Sequence, residues 1–77
     1  MDLKKVLFDI ACAIVDHPEC VNIEEHEEEN HVTFVLSVAD EDTGMVIGHH
    51  GKIARAIRTI MKSAAGTCGK RVTVEIK

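Results

Sequence analysis

The stretch "VIGHHGKIARAIR", residues 46–58, governs how the rest of the chain is read. Gly48 and Gly51 bracket His49 and His50, Lys52 follows, and a run with helical spacing begins. Glycine reaches backbone conformations that other residues avoid, so a tight corner between two helices accounts for the pair taken alone. Lys52 is harder to explain. It falls at a helix N-terminus, where the macrodipole disfavours a cation. An anion docked there, held jointly by free backbone N–H groups and the lysine, resolves the conflict. Arg55, Arg58 and Lys62 continue a cationic stripe, for which a solvated basic face is the plainer reading. Met45, Val46 and Ile47 place apolar side chains just before the turn. A phosphate backbone whose bases lie against an aliphatic wall meets all of these conditions.

On the C-terminal side of the turn, the spacing predicts a long helix over residues 52–65. At about 100° per residue, Ile53, Ile57, Ile60, Met61 and Ala64 share one side, while Arg55, Arg58 and Lys62 take the opposite one. "GTCGK" breaks this helix, and "RVTVEIK" predicts a last strand over 71–76 with Val72, Val74 and Ile76 facing inward. On the N-terminal side, Asp40, Glu41, Asp42 and Thr43 are capping-type residues ahead of "GMVI", which predicts a short helix over 41–47.

Val32, Phe34, Leu36 and Val38 alternate as a half-buried strand does. With Val21, Ile23 and a turn at Glu29 and Asn30, they predict a hairpin over 21–38 whose "EEHEEE" run is exposed. Leu3, Val6, Leu7, Ile10 and Ile14 form the apolar stripe of a leading helix over 2–17, stopped by Pro18. The order is helix, strand, strand, short helix, glycine turn, long helix, strand. Each element is amphipathic, which suits a single α+β domain with helices packed on one face of a sheet.

Composition narrows the partners. The 77 residues are 45% hydrophobic and 29% charged, values of a folded protein rather than a disordered tail. A chain of this size buries only about 60% of its unfolded surface. No apolar run approaches a membrane span, and the first twenty residues lack the pattern of a secretory signal. A cytoplasmic protein is expected. Cys12, Cys20 and Cys68 are odd in number and irregular in spacing, which argues against a disulfide framework. The net charge of −4 conceals a division. Residues 1–40 hold ten acidic and two basic side chains, a balance of −8. Residues 41–77 hold three acidic and seven basic ones, a balance of +4. The positive half carries the glycine turn.

Other chemistries fail on the residues themselves. A P-loop ending at Gly51 and Lys52 needs glycine at 46 and serine or threonine at 53, where the chain has Val46 and Ile53. Gly44, Gly48 and Gly51 do not have the dinucleotide-binding G-x-G-x-x-G spacing. The five histidines and three cysteines include no ligand pair with zinc spacing, and no metal or other cofactor is expected. No nucleophile–base pair is evident, and the glutamates at 24, 25, 27, 28 and 29 fall on the exposed hairpin, so the chain reads as non-catalytic.

"VIGHHGKIARAIRTI" resembles the V-I-G-x-x-G-[KR]-x-[AG]-x-x-I-[RK] signature of KH domains. From leading helix to final strand the chain is similar in length and layout to the small bacterial single-KH-domain proteins of the KhpA (YlqC) family. "DHPECVNI" and "GKRVTVEI" resemble that family's connector and closing strand. The resemblance implies a type II KH-like domain spanning 1–77, with a three-stranded mixed sheet in the order α-β-β-α-α-β. It also implies binding of single-stranded RNA, because the G-x-x-G loop of KH domains clamps the backbone of about four nucleotides. By position, Gly48, His49, His50 and Gly51 form the clamp, and Lys52, Arg55 and Arg58 contact phosphates. Val46, Ile47, Ile53 and part of the 32–38 strand line the groove for the bases. Phe8 and Phe34, the only aromatics, read as core residues, so the groove is expected to be aliphatic.

Family members often carry a lysine or arginine between the two glycines, where this chain has His49 and His50. Histidine is largely neutral at pH 7, so the clamp is expected to be weaker there and pH-dependent. The resemblance further implies homodimers, heterodimers with a larger KH-containing protein of the KhpB or Jag type, and an RNA-chaperone or post-transcriptional role that affects cell shape. A protein-interaction adapter, in which the fold serves mainly for dimerisation, is the alternative, and the net negative charge favours it.

Overall fold

The computed structural model of this chain describes residues 2–47 and 51–77. Helix α1 spans Leu3–Ile14 and is capped by Asp2, whose side chain accepts from the Lys5 backbone N–H at 3.2 Å. Leu3, Leu7 and Ala11, four residues apart, make its buried stripe. Phe8 lies one step round from that stripe and is 43% exposed, so it is not the core residue the sequence suggests. The helix also stops at Ile14, short of the expected residue 17. Val15 turns extended at φ −86°, ψ 157° and puts its side chain into the core. The exit is therefore set by Val15, ahead of Pro18, which instead begins a single 3-10 turn at Pro18–Cys20.

Strands β1 (Asn22–Glu28) and β2 (His31–Ser37) form an antiparallel hairpin, and β3 (Arg71–Ile76) pairs parallel with β2. The sheet is mixed, in the order β1-β2-β3, so β2 is central. The acidic run is part of a strand paired residue for residue up to Glu28 against His31. Rows across the sheet alternate between faces. Ile23, Leu36 and Ile76 share a row on the helix-covered side, as do Glu25, Phe34 and Val74. Glu24, Val35 and Glu75, and likewise His26, Thr33 and Thr73, occupy the other face.

Helix α2 spans Asp40–Ile47 and α3 spans Lys52–Thr67. The buried side of α3 is Ala54, Ile57, Met61 and Ala65. That is a rotation from the side expected from sequence, because the small Ala54 and Ala65 face the core while Ile60 is left 47% exposed. The helix also runs two residues past 65. Gly66 lies within it, and Gly69 at φ 72° ends it. The Lys70 N–H returns to the Ala65 carbonyl at 2.9 Å and the Gly69 N–H to the Gly66 carbonyl at 3.1 Å. This is a glycine-terminated Schellman exit, which needs the left-handed backbone at Gly69. The core joins these pieces around Phe34, Leu7, Leu36, Ile57 and Met61, all at or below 1% exposure.

Candidate nucleic-acid interface

Helices α2 and α3 are the elements on either side of residues 48–51. Gly48, His49 and His50 lie outside the described residues; Gly51, Lys52 and everything beyond lie within them. Gly51 adopts φ 71°, ψ 17°, a left-handed conformation that a side chain would strain, and it provides no side-chain cap for α3. Lys52 follows as the first residue of α3, exposed, with no acidic residue in the first turn. The combination of helix N-terminus and adjacent cation suits an anion.

The other expected contact residues divide. Arg55 is exposed on α3, Ile53 on the other flank of that helix is half-buried against the core, and Ile47 is 44% exposed at the end of α2. Val46, expected on the groove wall, is 0% exposed and packs in the core. The central strand is likewise closed off on its inner face, with Val32, Phe34 and Leu36 at 1%, 0% and 0%. The edge that lies open beside α3 belongs to β3. Arg58 shows this directly: its Nε donates to the Val74 carbonyl at 3.1 Å. One of the guanidinium's five donors is thus engaged, which fixes its plane against the sheet edge and leaves the terminal N–H groups for a ligand.

Asp42 is a residue that sequence reasoning took only as a helix-capping type. It is 1% exposed, the only buried charged side chain among the described residues. Its carboxylate accepts from the His17 backbone N–H at 2.9 Å and stands 3.2 Å from the His17 Nδ1. Burial pushes the Asp42 carboxyl up, but hydrogen bonds from the backbone at His17 and Asp16, and from the His17 ring, outweigh it and hold the group below its usual range. The hydrogen bond to Asp42 raises the His17 pKa, against some desolvation and with help from the charges of Asp42, Glu41 and Glu19. This clasp ties the first turn of α2 to the connector after α1, across 25 positions of sequence. No local signal announces a contact of that range.

Charge is segregated on the surface. The carboxylates of β1 stand at one edge of the sheet, and Arg58 of α3 and Arg71 at the start of β3 lie at the other, with Glu75 further along β3. Lys70 and Glu27 meet at 2.8 Å, and that carboxylate raises the lysine's pKa. Among the described residues, no group of three His, Cys, Asp or Glu is placed to share a metal ion. No described helix is long and apolar enough to cross a membrane.

Comparison with known proteins agrees with this architecture. A protein of Clostridium acetobutylicum named RNA-binding protein KhpA is 47% identical over 74 residues, which cover 96% of this chain and 99% of that one. The protein of the same name from Caldanaerobacter subterraneus is 49% identical over 67 residues, 87% of this chain and 89% of the relative. That of Listeria monocytogenes is 39% identical over 74 residues, with coverage of 96% and 97%. The family model described as KhpA/KhpB, KH domain, matches residues 4–76. With its mixed sheet, its helix pair and its left-handed Gly51 ahead of a basic helix, the chain belongs to the KhpA/KhpB KH-domain family.

Proposed function

We propose that this protein binds single-stranded RNA without catalysing a reaction on it, using the Gly48–His49–His50–Gly51 turn as a clamp on the phosphate backbone. The observation that carries this reading is the start of α3. A glycine in left-handed geometry opens directly onto a helix whose first residue is Lys52, and Arg55 and Arg58 follow on the open side. Relatives sharing 39–49% of their residues carry the name RNA-binding protein. Ile47 and Ile53 provide the aliphatic contact for bases, and Arg58 lines the passage between α3 and the β3 edge.

A lone KH domain grips about four nucleotides. Useful affinity therefore calls for a second domain, since linked sites raise the effective concentration of one another's ligand. Homodimers, and heterodimers with a KhpB-type protein, provide one. Among the described residues, Phe8, Met45, Ile47 and Ile60, at 38–47% exposure, are the large apolar side chains available for such contacts. A cytoplasmic role in post-transcriptional control or RNA chaperoning fits this chemistry.

The experiment is binding of short single-stranded RNA pools to the wild type and to the double variant His49→Asp, His50→Asp, with fold and self-association matched. Loss of RNA binding in a folded, still-associating variant is the expected result. Unchanged binding would make the turn a structural corner. Retained partner binding with no RNA binding by either protein would favour the adapter role.

A further inference from the structure

The cations of α3 do not end near the glycine turn. Arg55, Arg58 and Lys62 recur at intervals of three and four, so they share a side of the helix. The bond from Arg58 to the Val74 carbonyl shows which side that is: it faces the free edge of β3. The Arg71 and Lys77 N–H groups donate toward β2, to the Asn30 and Leu36 carbonyls at 2.8 and 2.9 Å. By the two-residue period of a strand, the backbone N–H and C=O groups of Val72, Val74 and Ile76 therefore point outward along the free edge.

At the end of this edge remote from the turn, a cleft of about 530 Å³ separates the last turns of α3 from the start of β3. His31, Lys62, Gly66, Lys70, Arg71 and Val72 line it. Gly66 leaves its floor open, since nothing lies within 4 Å of where a side chain would begin. The His31 Nε2 and the Thr73 hydroxyl, 2.8 Å apart, hold the imidazole at the rim. Lys70 is engaged by Glu27, whereas Lys62 and Arg71 have no carboxylate within ion-pair distance among the described residues. Beyond them Glu28 stands opposite His31 in register, so the carboxylates of β1 close the cationic path at this point.

We infer that this cleft is a second phosphate-binding position, which takes the backbone of a single-stranded RNA beyond the segment held at the glycine turn. Lys62, Arg71 and the outward Val72 N–H are its donors. It lies about 15 Å along α3 from Lys52, at 1.5 Å of rise per residue. The inference rests on the RNA-binding reading and extends its footprint from one end of α3 toward the other.

The test compares uniform single-stranded oligoribonucleotides of about four and about eight nucleotides, the first matching one KH clamp. Each is titrated by fluorescence anisotropy into the wild type and into the double variant Lys62→Gln, Arg71→Gln, at several salt concentrations. The wild type is expected to bind the longer oligomer about tenfold more tightly, with a log–log salt slope steeper by about 0.7 for each added phosphate contact. The double variant is expected to bind the short oligomer as the wild type does and to lose most of that gain. Lys62→Gln alone, on the exposed side of α3, is expected to lose part of it, which covers a double variant that folds poorly. A variant that keeps the full gain would overturn the inference, since the length dependence would then come from multiple registers or a second copy of the chain. Equal wild-type affinity for both lengths would overturn it too, while leaving the clamp in place. Failure of the wild type to bind either length would overturn the RNA-binding reading along with it.

Discussion

Helices α2 and α3 border the same short connection, residues 48–51, yet they are held by different forces. Helix α3 has sixteen residues and buries Ala54, Ile57, Met61 and Ala65 along one continuous side. Helix α2 has eight residues and buries two side chains, Val46 and Asp42. One of those is a carboxylate that survives burial only because His17 and the backbone of the connector supply its hydrogen bonds. The shoulder after the turn is thus fixed by non-directional packing, and the shoulder before it by a few directional bonds plus one valine. Apolar packing over four turns tolerates small shifts. A hydrogen-bonded carboxylate in a closed site does not, so α2 is the element whose placement is most easily lost.

The strongest way to probe that contrast is to attack the packed helix. Ile57→Ala, at 1% exposure, is expected to cost about 2–5 kcal/mol, a large part of the whole stability of a small domain, read from urea unfolding. A loss within the range of surface substitutions would mean that α3 is not anchored as its burial implies.

Asp42→Asn should act more locally. The neutral amide cannot match two N–H donors with a full charge, so α2 and the residue 15–21 connector are expected to lose hydrogen-exchange protection while α3 keeps it. Tm should fall by less than for Ile57→Ala. Equal loss of protection in both helices would show that they open as one unit, and would break the contrast.

A pH scan sharpens it further. Because the folded chain raises the His17 pKa above its ordinary value of about 6.5, that stabilisation is complete below the ordinary value and fades as pH rises through the raised one. The lowered pKa of Asp42 has the opposite sign: its contribution is present above the ordinary carboxylate value and disappears as pH falls through the lowered one. Between about pH 6 and pH 8 the wild type should therefore lose more Tm than His17→Asn. Parallel curves would show that the imidazole takes no part in holding α2.

The smallest expected change in stability belongs to the exposed flank of α3 that carries Ile60, away from its cationic stripe. Ile60→Glu should alter unfolding by no more than about 0.5 kcal/mol, as substitutions at exposed positions do. If this side mediates self-association, analytical ultracentrifugation will show the variant shifted toward monomer. An unshifted variant would direct attention to Phe8 or to the exposed end of α2.

Much of this arrangement was readable in the chain itself. The alternation of Val32, Phe34 and Leu36, the stripe of α1, and the glycine pair ahead of a basic helix all depend on neighbours within a few positions. Their period and chemistry therefore show in the sequence. The misjudged residues share a cause. Phe8 and Ile60 are large and apolar, but a helix buries a side chain according to the rotation its neighbours impose, and small Ala54 and Ala65 let α3 settle with Ile60 outside. Val46 looked like a groove residue because it adjoins the turn, while the short α2 needed it as its apolar anchor. Arg58, which the family resemblance implies as a phosphate contact, is tethered to the β3 edge, and that becomes visible only once β3 is known to lie outside β2.

By itself, the sequence determined the order of elements, the two-layer α+β class and the charge division, because these rest on local period and composition. Tertiary structure alone decided that β2 is central, that the free edge of β3 faces the cations of α3, and that Asp42 is clasped by His17. Each of these joins residues far apart in the chain. Such pairings are selected by the combined burial and hydrogen bonding of the whole fold, a quantity that no single stretch of sequence carries.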